Sequence, residues 1–483
     1  MGIWANIIER VRNRLFGTVI RNQAQLPESI VNDKMAAAID EWVNLYYNRA
    51  SWLAQSRLTL GLPSAIAREI ATLVTLEMKV QISGENENAA GLEQNTRAAF
   101  IDKTLNVVRN EIHLRTEYAC AFGGIVFKPY VNGNEICIDF INADNFYPTK
   151  YNANGDIKGA VFIERMRKGK DTYVRVEHHE LEGNSYTVTN RAFRSYSNES
   201  LGNEIPITSI PEWAQIEPEV TINTQGKTLF SYFKIPHGNV IDADSVLGVS
   251  VYARANSDGI IEEADKQFQR LYWEYEGGEL SIDASEEAFK PVKQRDGSFE
   301  PRLPVGKERL FRLNALSDGQ PLMQTYAPNL RDNSYIEGLN QILERFEDVS
   351  GIARGTFSRV QGVERTATEI INSKQRTYAT VSSIQMSLQR ALEHLIDAID
   401  VLATLYNLAP AGKYDTSFVW DDSIVVDAQQ ERAQDVQDVR DGLMMPFEYR
   451  MKWYGESEEQ AKKILFDNAD QSDDMIMGFE ATK

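Results

Sequence analysis

G-I-A-R-G-T-F-S-R-V-Q-G-V-E-R-T, Gly351 to Thr366, is a short basic loop with three glycines, and its flanks decide how the chain folds. Upstream, Asp332 to Val349 carries apolar residues at Ile336, Leu339, Leu343, Phe346 and Val349. Downstream, Ala367 to Leu408 carries them at Val381, Ile384, Leu388, Leu392, Leu395, Ile399, Leu402 and Leu405. Steps of three and four keep one helical face apolar over many turns, so that face is expected to be buried. A helix of this span is roughly 60 Å long at 1.5 Å per residue. Few single-domain enzymes need such a helix, whereas ring-shaped assemblies do.

The 483 residues can bury a large core and suggest several subdomains. Hydrophobic content of 42% excludes a disordered chain. Net charge is −19, which opposes loose adhesion to nucleic acid, because such affinity rests on Lys and Arg neutralising phosphates. Any work on DNA must therefore be local or must exploit repulsion. Cys120 and Cys137 are the two cysteines; they argue for a reducing compartment and leave at most one bridge open. No signal peptide, membrane span or N-myristoylation is expected. The start M-G-I-W-A-N-I-I-E-R-V-R has charge inside its apolar run, and Asp397 and Asp400 break the longest apolar tract.

Residues 1–125 read as helical: an amphipathic helix on Ile3, Ile7, Val11 and Leu15, a second from Asn32 to Tyr47, a third opened by Pro63, and a fourth over 97–122 ended by Gly123-Gly124. Residues 125–245 read as an antiparallel meander, with turns at Asn132-Gly133, Asn154-Gly155 and Glu182-Gly183-Asn184. One helix is expected from Ser250 to Glu276, with Ile261, Ala264, Phe268, Leu271 and Tyr275 aligned. Residues 279–331, punctuated by five prolines, read as a small α/β module inserted between helices. From Tyr414 onward come one strand and acid-rich helices, with 17 acidic against 7 basic residues.

Chemical motifs fail when tested. Gly306-Lys307 lacks a P-loop, because Glu308 follows and Pro301 stands where the first glycine belongs. His178-His179 lies in a strand run, so the two rings point to opposite faces and form no metal site together; ordinary surface or half-buried histidines are expected. Asp421-Asp422 and Asp473-Asp474 read as a solvated acidic face sooner than as a cation site. No catalytic constellation, cofactor or metal is expected.

The loop admits two readings. Between Gly351 and Arg376 stand Arg354, Arg359, Arg365, Lys374 and Arg376 against Glu364 and Glu369, a local inversion of sign. Its arginines either cap helix ends and pair with neighbouring carboxylates, or belong to a mobile element aimed at a polyanion. Gly351, Gly355 and Gly362 permit large backbone changes. Thr366 and Glu369 have the spacing of a capping box.

Several segments carry a resemblance. They are F-I-N-A-D-N-F-Y-P-T (Phe140–Thr149) followed by N-G-D-I-K-G-A-V-F, V-S-G-I-A-R-G-T-F before R-T-A-T-E-I, and Trp420-Asp421-Asp422. With the order of elements, the chain resembles a tailed-bacteriophage portal protein of long non-contractile-tailed phages of Gram-positive hosts. The resemblance implies an α+β portal fold. Its wing is 1–249, its stem helices 250–276 and 332–350, and its clip 277–331. The tunnel loop is 351–366, a long kinked inner helix with a wing strand is 367–427, and the crown is 428–483. It further implies a dodecameric ring at one capsid vertex of the virion, assembled in the host cytoplasm. That ring is the channel for double-stranded DNA during packaging and ejection. Implied partners are the terminase large subunit, major capsid and scaffolding proteins, and a head–tail connector. The DNA-facing residues would be Arg354, Arg359 and Arg365, with Gly351, Gly355 and Gly362 as hinges. A head–tail adaptor ring is the competing class, though adaptors are usually shorter and lack an inserted clip. A nuclease or terminase component competes less well, since it needs a P-loop or clustered carboxylates.

Overall fold

The computed structural model describes residues 33–53, 58–84, 96–169, 171–195, 202–285, 289, 291–293, 299–301, 310–313, 323–359, 367–420, 428–454 and 460–463. Helix makes up 46% and strand 27%, an α+β chain. The amphipathic run at Ile3–Leu15 lies outside the described residues, as do Gly362, Arg365 and residues 421–427.

In chain order the elements begin with α1 (Asp33–Tyr46), α2 (Leu62–Thr75), β1 (Lys79–Gly84) and α3 (Thr96–Phe122). Strands follow: β2 (Gly124–Asn132), β3 (Glu135–Asn142), β4 (Phe146–Tyr151), β5 (Ile157–Lys168), β6 (Asp171–Glu182), β7 (Ser185–Ser195), β8 (Asn203–Ile205), β9 (Glu219–Asn223) and β10 (Ser231–Lys234). Next come α4 (Ala253–Ser257) and α5 (Ile260–Gly277), then β11 (Ser281–Ala284), β12 (Pro291–Lys293), β13 (Phe299–Pro301), β14 (Phe311–Leu313) and β15 (Met323–Tyr326). The chain closes with α6 (Asp332–Ser350), α7 (Ala367–Leu405), β16 (Tyr414–Val419), α8 (Ala428–Arg440) and α9 (Pro446–Tyr454).

The helix α7 spans 39 residues, about 58 Å at 1.5 Å per residue. Val381, Ile384, Leu388, Leu392, Leu395, Ile399 and Leu402 are buried along it, as the spacing predicts. Leu405 is not; it is 45% exposed at the fraying last turn. The buried face meets α2, α3, β2, β3 and β10, and one hydrophobic core runs through all of them. Side chains fix its position along the strand. Ser387 Oγ donates to the Lys234 carbonyl at 2.6 Å, and Ser231 Oγ donates to the Ala391 carbonyl at 2.5 Å. The buried Arg97 guanidinium on α3 closes the far end, donating to the Pro410 carbonyl and the Thr404 hydroxyl, both at 3.0 Å.

The hairpin turns form where expected, but the meander is two sheets. One has the order β10-β2-β3; the other runs β4-β5-β6-β7-β8, with β9 also on β7. A short 3-10 turn at Ala143–Asn145 redirects the chain after β3, and β10 takes the free edge of β2. Gly123 makes the first sheet possible. Its φ is +90°, and a Cβ there would sit 2.6 Å from the Gly248 carbonyl oxygen, so no side chain fits at this crossing. The strand after α7 pairs antiparallel with β1 over Lys79–Gly84, more than 300 residues earlier in sequence.

Three further expectations need correction. The helix from Ser250 is broken at Gly259, whose φ of +72° ends α4 and caps α5. Tyr275 is exposed on α5, off the packed face. The inserted module, among its described residues, is built of strands without an α-helix; β11 pairs parallel with β14 and antiparallel with β15. Cys120 and Cys137 are both free thiols.

His179 is not an ordinary surface histidine. It is 4% exposed and joins the two sheets. Its Nδ1 is 2.7 Å from the Tyr186 hydroxyl and its Nε2 is 2.7 Å from Glu177 Oε1, while Lys128 of β2 donates to Glu177 Oε2 at 2.7 Å. Burial pushes the Glu177 carboxyl up, but Lys128, His179 and Arg175 outweigh it and hold it well below the ordinary 4.5. Burial pushes the His179 ring below its ordinary 6.5, more strongly than Glu177 raises it. Both groups bind fewer protons folded than unfolded in acid. Stability is therefore expected to fall as pH drops below 6.5, where the unfolded His179 takes up a proton, and to fall further below 4.5, where unfolded Glu177 does. His178 and His237 are shifted the same way. Urea melts at stepped pH test this. The variant His179→Gln should flatten part of the upper limb; an unchanged slope would remove this joint from the account.

Candidate functional site

The turn after α6 is the best-defined candidate. Gly351 ends the helix at φ +73°, and Gly355 repeats the left-handed conformation at +96°. The glycines are used to build a fixed turn. At its centre lies Glu347, fully buried, whose carboxylate accepts four hydrogen bonds from the loop. They come from the amides of Gly355 (3.1 Å), Phe357 (2.5 Å) and Ser358 (2.8 Å) and from the Ser358 hydroxyl (2.7 Å). A carboxylate with its lone pairs filled by aimed donors tolerates burial that would otherwise be costly.

Other side chains complete the anchorage. The Arg359 amide donates to Asn340 Oδ1 at 2.5 Å. From α7, the Thr377 hydroxyl accepts the Ala353 amide, and the Thr380 hydroxyl donates to the Gly351 carbonyl, both at 2.8 Å. Ile352 is buried, and Phe357 lies edge-on to Phe346, centroids 5.9 Å apart. Thus α6, the turn and α7 form one packed unit.

The arginines divide. Arg354 forks onto Asp348 at 3.1 and 2.6 Å, and Arg376 of α7 donates to the same carboxylate at 2.6 Å. The hydrogen bond from Arg354, ahead of that from Arg376, holds the Asp348 carboxyl below its ordinary range. Arg354 also lies 3.8 Å from Glu344. The side chain of Arg359 is exposed, without an ion-pair partner among the described residues. Arg365 and Gly362 lie outside the described residues, as does Thr366 of the capping box; α7 begins at Ala367, where that spacing places it.

Glu347, Asn340, Asp348 and Arg376 were missed as site residues. The signal existed: Asn340, Glu344 and Glu347 stand at i, i+4 and i+7, a polar stripe beside the apolar one.

The helix before the turn, α6, packs against α5. Arg331 forks onto Glu274 at the far end of α5, and Gln267 Nε2 donates to the Tyr335 carbonyl at 3.3 Å. Among the described residues, no group of three or more His, Cys, Asp or Glu could hold a metal, and no helix is long and apolar enough to cross a membrane.

The model "Phage portal protein, SPP1 Gp6-like" matches residues 29–474, and the chain belongs to that family. Its role is that of a bacteriophage portal, a structural protein. Membership implies a homo-oligomeric ring in the phage capsid that interacts with DNA. No curated protein matches the chain.

The variant Glu347→Gln places an NH2 group against loop donors, so the turn should loosen at a cost of about 1–3 kcal/mol. Hydrogen exchange at the Gly355, Phe357 and Ser358 amides checks this. Faster exchange is expected there, and unchanged protection would contradict the anchoring role.

Proposed function

We propose that this chain forms a dodecameric ring at a single capsid vertex, through which double-stranded DNA is pumped by the terminase and later ejected. The family match over 29–474 is the observation that carries this reading. Within it, 1–249 and the strand after α7 form the wing, and α4 with α5 and then α6 form the stem. Residues 277–331 form the clip, 351–366 the tunnel loop, α7 the long inner helix, and 428–483 the crown.

The physical chemistry suits a channel. DNA must slide without sticking, and a chain of net −19 repels it. Local cations then supply brief contacts. Arg354, Arg359 and Arg365 are the residues we assign to phosphate contact, with Gly351, Gly355 and Gly362 shaping the loop. Asp348 competes with phosphate for Arg354, which keeps that contact weak and salt-sensitive.

Replacing all three arginines by alanine should leave assembly intact, because the apolar helix faces are untouched, and should reduce DNA packaging or retention. Native mass measurement and a packaging assay separate the outcomes. Loss of rings would make these arginines interface residues; normal packaging would remove their charge from DNA movement.

The clip carries 8 acidic and 7 basic residues between Gly277 and Thr325. Such a mixed surface suits exchangeable partners, first terminase and then a head–tail connector. A deletion of 277–331 that preserves rings should abolish terminase binding. Retained binding would move the docking surface elsewhere.

A further inference from the structure

A cavity of about 240 Å³ opens between the β4–β5 turn, the segment leading into β10, and the middle of α7. Lys158, Lys227, Lys234 and Arg390 line it, against Asp156 and Asp397. On a chain of net −19 this is a concave site of opposite sign. Lys227 is partnered, its Nζ 2.7 Å from Asp397 Oδ1. The Asp156 carboxylate accepts from the Asn152 side-chain Nδ2 at 2.9 Å. Lys158, Lys234 and Arg390 have no ion-pair partner among the described residues.

The scaffold beneath them is rigid. The Ser387–Lys234 and Ser231–Ala391 hydrogen bonds lock α7 to β10, so Lys234 and Arg390 are held on facing elements. Arg390, His394 and Asp397 fall at i, i+4 and i+7, one face of the helix. Cations crowded into one concavity repel each other, and an entering anion relieves that repulsion. A duplex does not fit a space of this size, but a carboxylate side chain does.

We propose that this cavity receives acidic side chains of a second copy of this chain, the neighbour in the ring. The inference rests on the ring reading of the proposed function and adds a specific ion-pair contact to it. Charge complementarity carries the choice of occupant: each copy carries a net charge of −19, while this concavity is basic. A charged contact of this kind would set register between copies, beside whatever apolar contact holds them together.

The test uses the full-length protein and the triple variant Lys158→Glu, Lys234→Glu and Arg390→Glu, with mass photometry across protein and salt concentration. Wild-type rings should weaken in high salt. The variant should associate at least about tenfold more weakly at low salt, with its melting temperature and circular dichroism near wild type. Lysine acetylation of the wild type gives a readout free of any folding defect: Lys158 and Lys234 should be protected in rings relative to monomers, with the exposed Lys79 as the reference within each state. Rings unchanged in the variant, or both lysines equally reactive in the two states, overturn the contact and leave the ring reading standing. Stabilisation of the wild type by inorganic phosphate, absent in a variant that still forms rings, assigns the cavity to a free anion and also overturns it. A wild type that never leaves the monomer overturns the ring reading, and this contact with it.

Discussion

Burial of one face of α7 is the constraint on which the rest of this structure depends. Three layers meet on that face: the N-terminal helices α2 and α3, the small sheet of β2, β3 and β10, and the turn that follows α6. Each docks through apolar contact and then through one or two specific hydrogen bonds: Ser387 and Ser231 for the sheet, Arg97 for the helix end, Thr377 and Thr380 for the turn. The apolar surface supplies most of the free energy, and the polar links choose the register. A single Leu388→Ala change would remove a fully buried side chain from this junction, where such losses cost about 2–5 kcal/mol.

Much of this was legible in the sequence, for a physical reason. Period-3.6 patterning marks α7 because its burial is one-sided and continuous. Gly123, Gly133, Gly155 and Gly183 all take positive φ and stand where turns were read. What escaped were features that depend on distant partners. The pairing of β1 with β16 joins segments far apart in sequence, and no local pattern encodes it. His179 looked like half of a surface pair; its burial comes from Phe162, Tyr186 and Lys128 on three other strands. Gly259 was absorbed into a continuous helix because Ile261, Ala264, Phe268 and Leu271 keep helical spacing just beyond it, yet its φ breaks the helix there. At the site, the glycines and arginines of the loop were conspicuous, whereas Glu347, which holds the turn, was hidden as one acidic residue beside an apolar stripe.

Charge has two scales in this molecule. Overall it is strongly negative, a property of the whole surface that discourages adhesion to DNA. Locally, cations are either neutralised in place or gathered. Asp348 neutralises Arg354 and Arg376, and Glu274 neutralises Arg331. In the cavity beside α7 four cations gather against two carboxylates, Asp156 and Asp397. Both behaviours suit the proposed ring: a lining to which DNA does not adhere, and contacts that hold subunits in register.

The account turns on where the Glu347-anchored turn sits in the assembled particle. An electron-microscopy map of purified rings, at a resolution that shows side chains, tests this most directly. We expect closed rings with the turn from Gly351 to Arg359 facing the axis at the narrowest constriction, and α7 running behind it. Rings in which this turn faces outward or is sealed between wings would contradict the assignment, as would a protein that forms no closed ring.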